Sequence, residues 1–208
     1  MVQISTLLAA ALSSGVLVSA SPAFAGDADL ARRAYTVETG PIQWRGELEE
    51  GGEVVQLSGS SFEDIEVQAK AINPTFTIFD NSTAAIEARD SRIAARQTEA
   101  IHCGWPPGWS HTKDFTALHY GIEYLRGIKG DCRGRPGPGA CDRVSCSWGS
   151  AIFYCNDNRH EIWEPCRWIG DVAAAIVSRC GDQGHNGRTL GQAFDRRQWN
   201  TIVAGSDC

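Results

Sequence analysis

Val144-Ser145-Cys146-Ser147-Trp148-Gly149-Ser150-Ala151-Ile152-Phe153-Tyr154-Cys155 is the stretch whose reading decides the fold. Two runs rich in β-branched and aromatic residues flank a glycine, the pattern of a β-hairpin. With Gly149-Ser150 as the turn, Trp148 stands opposite Ala151, and Val144, Cys146, Trp148, Ala151, Phe153 and Cys155 share one face. That face is the expected core.

Helical patterns lie on both sides of the hairpin. Before it, Phe115, Leu118, Ile122 and Leu125 recur at helical spacing behind a capping Ser110 or Thr112, and Gly127 ends the run. A loop of alternating Gly and Pro follows; it cannot bury apolar surface, and Cys132 and Cys141 are expected to pin its ends. After the hairpin, Pro165 opens a second helix with Trp168, Ile169, Val172, Ala173, Ile176 and Val177 on its apolar side. Cys180 sits in its last turn and Gly181 stops it. Residues 190–194 and 199–203 read as two short strands separated by Arg196-Arg197. The order predicts an α+β fold, a two-layer sandwich of two helices on an antiparallel sheet.

All eight cysteines, Cys103, Cys132, Cys141, Cys146, Cys155, Cys166, Cys180 and Cys208, belong to this half of the chain. The chain opens with an apolar leader too short to span a bilayer, ending in Ala23-Phe24-Ala25, the small-x-small pattern cut by signal peptidase; a cut after Ala20 is the alternative. Residues 1–25 are therefore expected to be a signal peptide and the product to be extracellular, without stable membrane insertion. In that compartment an even set of cysteines reads as a disulfide framework, with connectivity open. The close x-x cysteine pairs typical of zinc sites are missing, so neither a metal nor a cofactor is expected.

Charge divides the chain in the same place. Residues 26–101 carry fourteen acidic and seven basic side chains, a net of minus seven; residues 102–208 carry eleven and twelve, a net of plus one. A nearly neutral domain has no electrostatic reason to seek nucleic acid, whose binding rests on phosphate neutralisation. Residues 26–100 are expected to form an acidic, propeptide-like segment ahead of a cysteine-rich domain at 101–208. The segment carries structure of its own: strands around Ile42-Gln43-Trp44 and Val54-Val55-Gln56-Leu57, then a helix with Phe62, Ile65, Ala69 and Ile72 on one face, capped by the Ser60/Glu63 spacing and stopped at Asn73-Pro74. The pair Arg32-Arg33 and, in the Ala-, Glu- and Arg-rich connector, Arg96 are candidate processing sites, and Asn81-Ser82-Thr83 is a glycosylation sequon. Shedding of the segment and its retention both fit these features.

Several stretches carry a resemblance: the Pro-Gly-Pro-Gly loop between Cys132 and Cys141, Arg143 to Trp148, Cys155-Asn156-Asp157-Asn158, Gly191-Gln192-Ala193-Phe194 and Trp199-Asn200-Thr201-Ile202-Val203. In these the chain resembles small secreted cysteine-rich proteins of filamentous fungi, over residues 103–208. The resemblance implies an effector acting on a host, and an α/β sandwich similar in outline to fungal and viral killer toxins. The residues that carry it are structural, so it transfers no functional residue to a position here.

An enzymatic reading would draw on His102, His111, His119, His160 and His185, with Glu123, Asp157 or Glu161 as partners and Arg143 or Arg159 to hold a phosphate, as in a small secreted hydrolase or nuclease. No nucleophile elbow, zinc-protease or phosphate-loop motif accompanies them, and Ser145 and Ser147 lack flanking glycines. The favoured reading is non-enzymatic: a protein that binds a host or competitor protein or glycan, with a killer-toxin-like antimicrobial as the alternative. Of the tryptophans, Trp148, Trp168 and Trp199 fall on expected apolar faces, while Trp105 and Trp109 sit in a Pro- and Gly-rich loop better suited to the surface.

Overall fold

The computed structural model describes residues 35–80, 98–181 and 187–208. Ala25, Arg33, Asn81, Arg96 and His185 lie outside the described residues.

The hairpin forms one residue out of the expected register. Strands β6 (Ala140–Ser147) and β7 (Ser150–Asn156) pair with Cys146 opposite Ala151 and Ser147 opposite Ser150, so Trp148-Gly149 is the turn. Both turn residues have positive φ, 48° and 73°, the geometry whose twist suits a two-residue hairpin. Ser150 belongs to the strand because its hydroxyl is buried, accepting from the Asp114 N–H at 2.9 Å and donating to the Asp114 carbonyl at 2.8 Å. Trp148 consequently leaves the expected core and is 80% exposed. A bulge between Arg143 and Ser145 divides the expected face as well: Val144 joins one core cluster, and Ala151, Phe153 and Cys155 join another, with Cys146 packed against it.

Among the described residues there are three helices, the two expected in the cysteine-rich part and the one expected in the acidic segment, and two sheets where one was expected. The larger sheet adds β1 (Thr36–Glu38), β4 (Thr98–Cys103), β9 (Gly191–Asp195) and β10 (Trp199–Gly205) to the hairpin, in the order β1-β6-β7-β10-β9-β4, with β1 parallel to β6. The smaller sheet has the order β3-β2-β5-β8, from β2 (Ile42–Glu47), β3 (Val54–Gly59), β5 (Asp131–Gly134) and β8 (Ile162–Pro165). Strands β1, β4, β5 and β8 have three to six residues each, too few for an alternating pattern to stand out from loop sequence.

Phe62, Ile65, Ala69, Leu118, Ile122, Leu125, Ile169, Val172, Ala173 and Ile176 are buried as their periods predict, but Ile72 and Phe115, expected on the same faces, are exposed at helix ends, and the caps differ. Helix α1 (Phe62–Ile72) is capped by Ser61, whose hydroxyl accepts from the Asp64 N–H at 3.3 Å, and not by Ser60, which bonds the Asp64 carboxylate. Helix α2 (Phe115–Gly127) is capped by Asp114, not by Ser110 or Thr112; the Thr112 hydroxyl is buried and accepts from the Thr189 N–H. Helix α3 (Cys166–Cys180) starts after Pro165 and ends at Gly181, as its sequence requires. Helices α2 and α3 pack on each other and on the larger sheet, and α1 packs on β3.

The eight cysteines form four disulfides: Cys103–Cys180, Cys132–Cys166, Cys141–Cys155 and Cys146–Cys208. Cys132 and Cys141 do anchor the ends of their loop, each through a bond to another element. Helix α3 is held at both ends, by Cys166 to the smaller sheet and by Cys180 to the larger. Each bridge contributes about 2–4 kcal/mol by restricting the unfolded chain.

The acidic segment is built into this body. The described residues form one compact unit. β1 lies along β6, β2 pairs with β5, and the Ile78 carbonyl and Asp80 N–H bond to Lys129 and Gly127 at 2.8 and 2.7 Å. Trp44, fully buried, donates its indole N–H to the Lys129 carbonyl at 2.6 Å. Its ring lies so close to Gly130 (φ +80°) that a Cβ there would fall 2.6 Å from the indole nitrogen. Trp44, Phe62 and Ile65 share one cluster with Leu125, Ile169 and Val172 of the cysteine-rich half.

Two outcomes follow from this packing. Trp44→Ala removes a buried aromatic and orphans the Lys129 carbonyl, so urea unfolding should show a loss of about 3–5 kcal/mol. Alkylation of the native protein should label no cysteine and, after reduction under denaturing conditions, all eight.

Candidate functional site

Helix α2, the free end of β6, the start of α1 and the β1–β2 connection at Thr39, Gly40 and Ile42 surround an open cleft of about 730 Å³, within the range of ligand sites. Ala117, Tyr120, Gly121 and Tyr124 line it from α2, one stripe at i, i+3, i+4 and i+7. Gly121 allows the helix to lie against β6: a Cβ there would fall 2.5 Å from the Ser145 hydroxyl. Ser145, Cys146 and Ser147 form the facing wall. Trp148 continues from that wall, and Tyr120 is 73% exposed. A bulky residue with positive φ is strained, so Trp148 is held outward against both its solvation and its backbone preference.

The polar groups of the cleft are mostly engaged. Tyr124 donates to Glu63 at 2.9 Å, and burial together with the Glu63 carboxylate holds the phenol well above its ordinary value. Arg126 bonds Glu123 at 2.8 Å. Arg143 donates to the Asp207 carbonyl at 2.6 Å and to Ser206, tying the chain end to β6. Beyond its pairing with β1 at residues 140–142, β6 has no neighbouring strand on that side among the described residues.

A second cluster lies where β8 meets the β9–β10 turn. Arg197 bonds both oxygens of Asp195 at 2.9 and 3.1 Å and Glu164 at 2.6 Å, while its guanidinium stacks 4.8 Å from Trp168 and 5.6 Å from Trp199. Glu164 and Asp195 are 7% and 6% exposed. Burial pushes the Glu164 carboxyl up to about 7, with Arg197 opposing the rise and Asp195 adding to it. This network joins the two sheets through side chains. Its partner in the sequence, Arg196, is exposed and reaches Glu99 at 3.8 Å.

The residues considered for catalysis are dispersed. His102 packs edge-on to Phe194 and near Trp105, His119 stacks on Phe115, and exposed His160 offers its carbonyl to Asn156. The three carboxylates considered as their partners are bound elsewhere: Glu123 to Arg126, Asp157 to Asn200 and Glu161 to Arg133. Trp109 packs on Phe153 and Tyr35, so it covers the far face of the larger sheet and does not stand free in its loop. Sequence reasoning missed Tyr120 and read Glu63 only as part of a helix cap, whereas its carboxylate accepts from Tyr124. The available signal was that Tyr120 falls off the apolar stripe of α2 yet is aromatic.

Glu164 supplies a pH signature. With its folded pKa above its unfolded one, the folded chain retains a proton that the unfolded chain has lost; this stabilisation is complete below the ordinary carboxylate range and disappears as pH rises through about 7. The thermal midpoint of Glu164→Gln should therefore fall less than that of the unaltered protein between about pH 5 and pH 7. No family model matches this chain, and no curated protein or solved structure does either.

Proposed function

We propose that this protein is secreted and acts outside the producing cell by binding a protein or glycan of a host or competitor, in the manner of a host-directed effector. The observation that carries the reading is a scaffold with every cysteine in one of four bridges, presenting an open cleft lined by the exposed Tyr120. Such bridges persist in oxidising compartments. A surface organised in advance loses little freedom on binding, and exposed aromatics are the side chains that anchor partners. Among the described residues no helix is long and apolar enough to cross a membrane. The resemblance to small secreted fungal proteins supports the same role.

The acidic segment stays with the mature protein in this reading. Its loss would strip Trp44, Phe62 and Ile65 from the core and leave β5 without β2. Intact mass of the secreted material should place the first residue near Gly26 or Ala34; a first residue at Gln97 would refute retention. For the function itself, deletion of the gene should reduce host colonisation, and supplying the secreted protein should restore it. Unchanged colonisation would overturn the host-directed role, and growth inhibition of other fungi by the purified protein would move the reading to an antimicrobial.

A further inference from the structure

We infer that the free edge of β6 in this cleft takes an extended segment of a partner polypeptide as an added strand, with a basic side chain lying toward Glu63 and Glu123. The inference rests on the binding role proposed above and specifies its chemistry.

The edge already accepts a strand. β1 lies parallel along it, with Thr36, Val37 and Glu38 opposite Ala140, Cys141 and Asp142, and the chain then turns off through Thr39 and Gly40 to enter β2. The remaining edge, from Arg143 to Ser147, runs along the cleft wall. In an antiparallel ladder alternate residues turn their N–H and C=O groups away from the partner strand. The Trp148-Gly149 turn closes on the Ser147–Ser150 pair, so the backbone of Cys146 faces the cleft. Backbone groups on an edge bind an incoming strand, and side-chain pockets beside it set the preference.

The cleft matches a peptide in shape and charge. The small side chains at Ser145 and Ser147 leave room beside the edge. Tyr120, which lines the cleft, supplies exposed aromatic surface for an apolar side chain of the added strand. Two carboxylates line the helical side, Glu63 bonded to the Tyr124 hydroxyl and Glu123 to Arg126, and Arg143, the guanidinium that lines the cleft among the described residues, donates to the Asp207 carbonyl and to Ser206 at the far side of the strand. A basic residue in the incoming strand meets complementary charge there.

The probe is an acetylated, amidated hexapeptide, Thr-Val-Lys-Val-Thr-Val, titrated against the full oxidised protein by fluorescence anisotropy. N-methylation at alternate residues should weaken binding by about tenfold or more, since each removes a donor and blocks the strand's approach, whereas methylation at the intervening residues should have little effect. Tyr120→Ala, and separately Glu63→Lys with Glu123→Lys, should each weaken binding at least about threefold. The charge-reversed variant should prefer the same peptide with Glu in place of Lys. Failure to bind, indifference to the methylation pattern, or a preference for chitin or mannan oligosaccharides lost in Tyr120→Ala would overturn the inference. Complementing the deletion strain separates the two claims. Full rescue of colonisation by the cleft variants removes the cleft and leaves the extracellular role, whereas a deletion without phenotype removes that role whatever the peptide does.

Discussion

Helix α3 is the constraint on which the rest of the body depends. Cys166 at its start is bonded to β5 of the smaller sheet, and Cys180 at its end to β4 of the larger. One rigid rod thus sets the distance between two sheets that share no strand. Its apolar side, with Ile169, Val172, Ala173 and Ile176, then has a defined surface to cover. The Arg197 network adds a side-chain tie at the same junction, from β8 to the β9–β10 turn. Removing water from Glu164 costs free energy that its ion pair only partly offsets, the usual balance for a buried charge.

The acidic half obeys the same logic without covalent help. It contains no cysteine, so its attachment relies on Trp44, on backbone bonds at both ends of the segment, and on the burial of Phe62 and Ile65. Its carboxylates are concentrated on exposed positions such as Glu49, Glu50 and Glu53, while Trp44, Phe62, Ile65 and Ala69 face inward. Acidic composition therefore describes the outside of this segment and says little about whether it belongs to the core.

A single register choice separates a core tryptophan from a surface one. Because side chains alternate along a strand, moving the turn by one residue transfers each residue's role to its neighbour. Here the choice was made by Ser150, whose hydroxyl satisfies both backbone groups of Asp114 at the start of α2. That contact spans 36 positions and has no local trace in the hairpin sequence. The exposed Trp148 follows from it.

The sequence by itself determined the elements whose apolar period runs for several turns or alternations: α1, α2 and α3, the two hairpins, and the concentration of cysteines in one half. These are properties of neighbouring residues, and each helix needs only its own face to be recognised. Tertiary structure alone decided which cysteines bond, that β5 and β8 are strands, that Asp114 caps α2, and that α2 meets β6 closely enough to require Gly121. Short strands acquire their hydrogen bonds from distant partners, and a cleft exists only between elements, so neither is written in any one stretch of the chain.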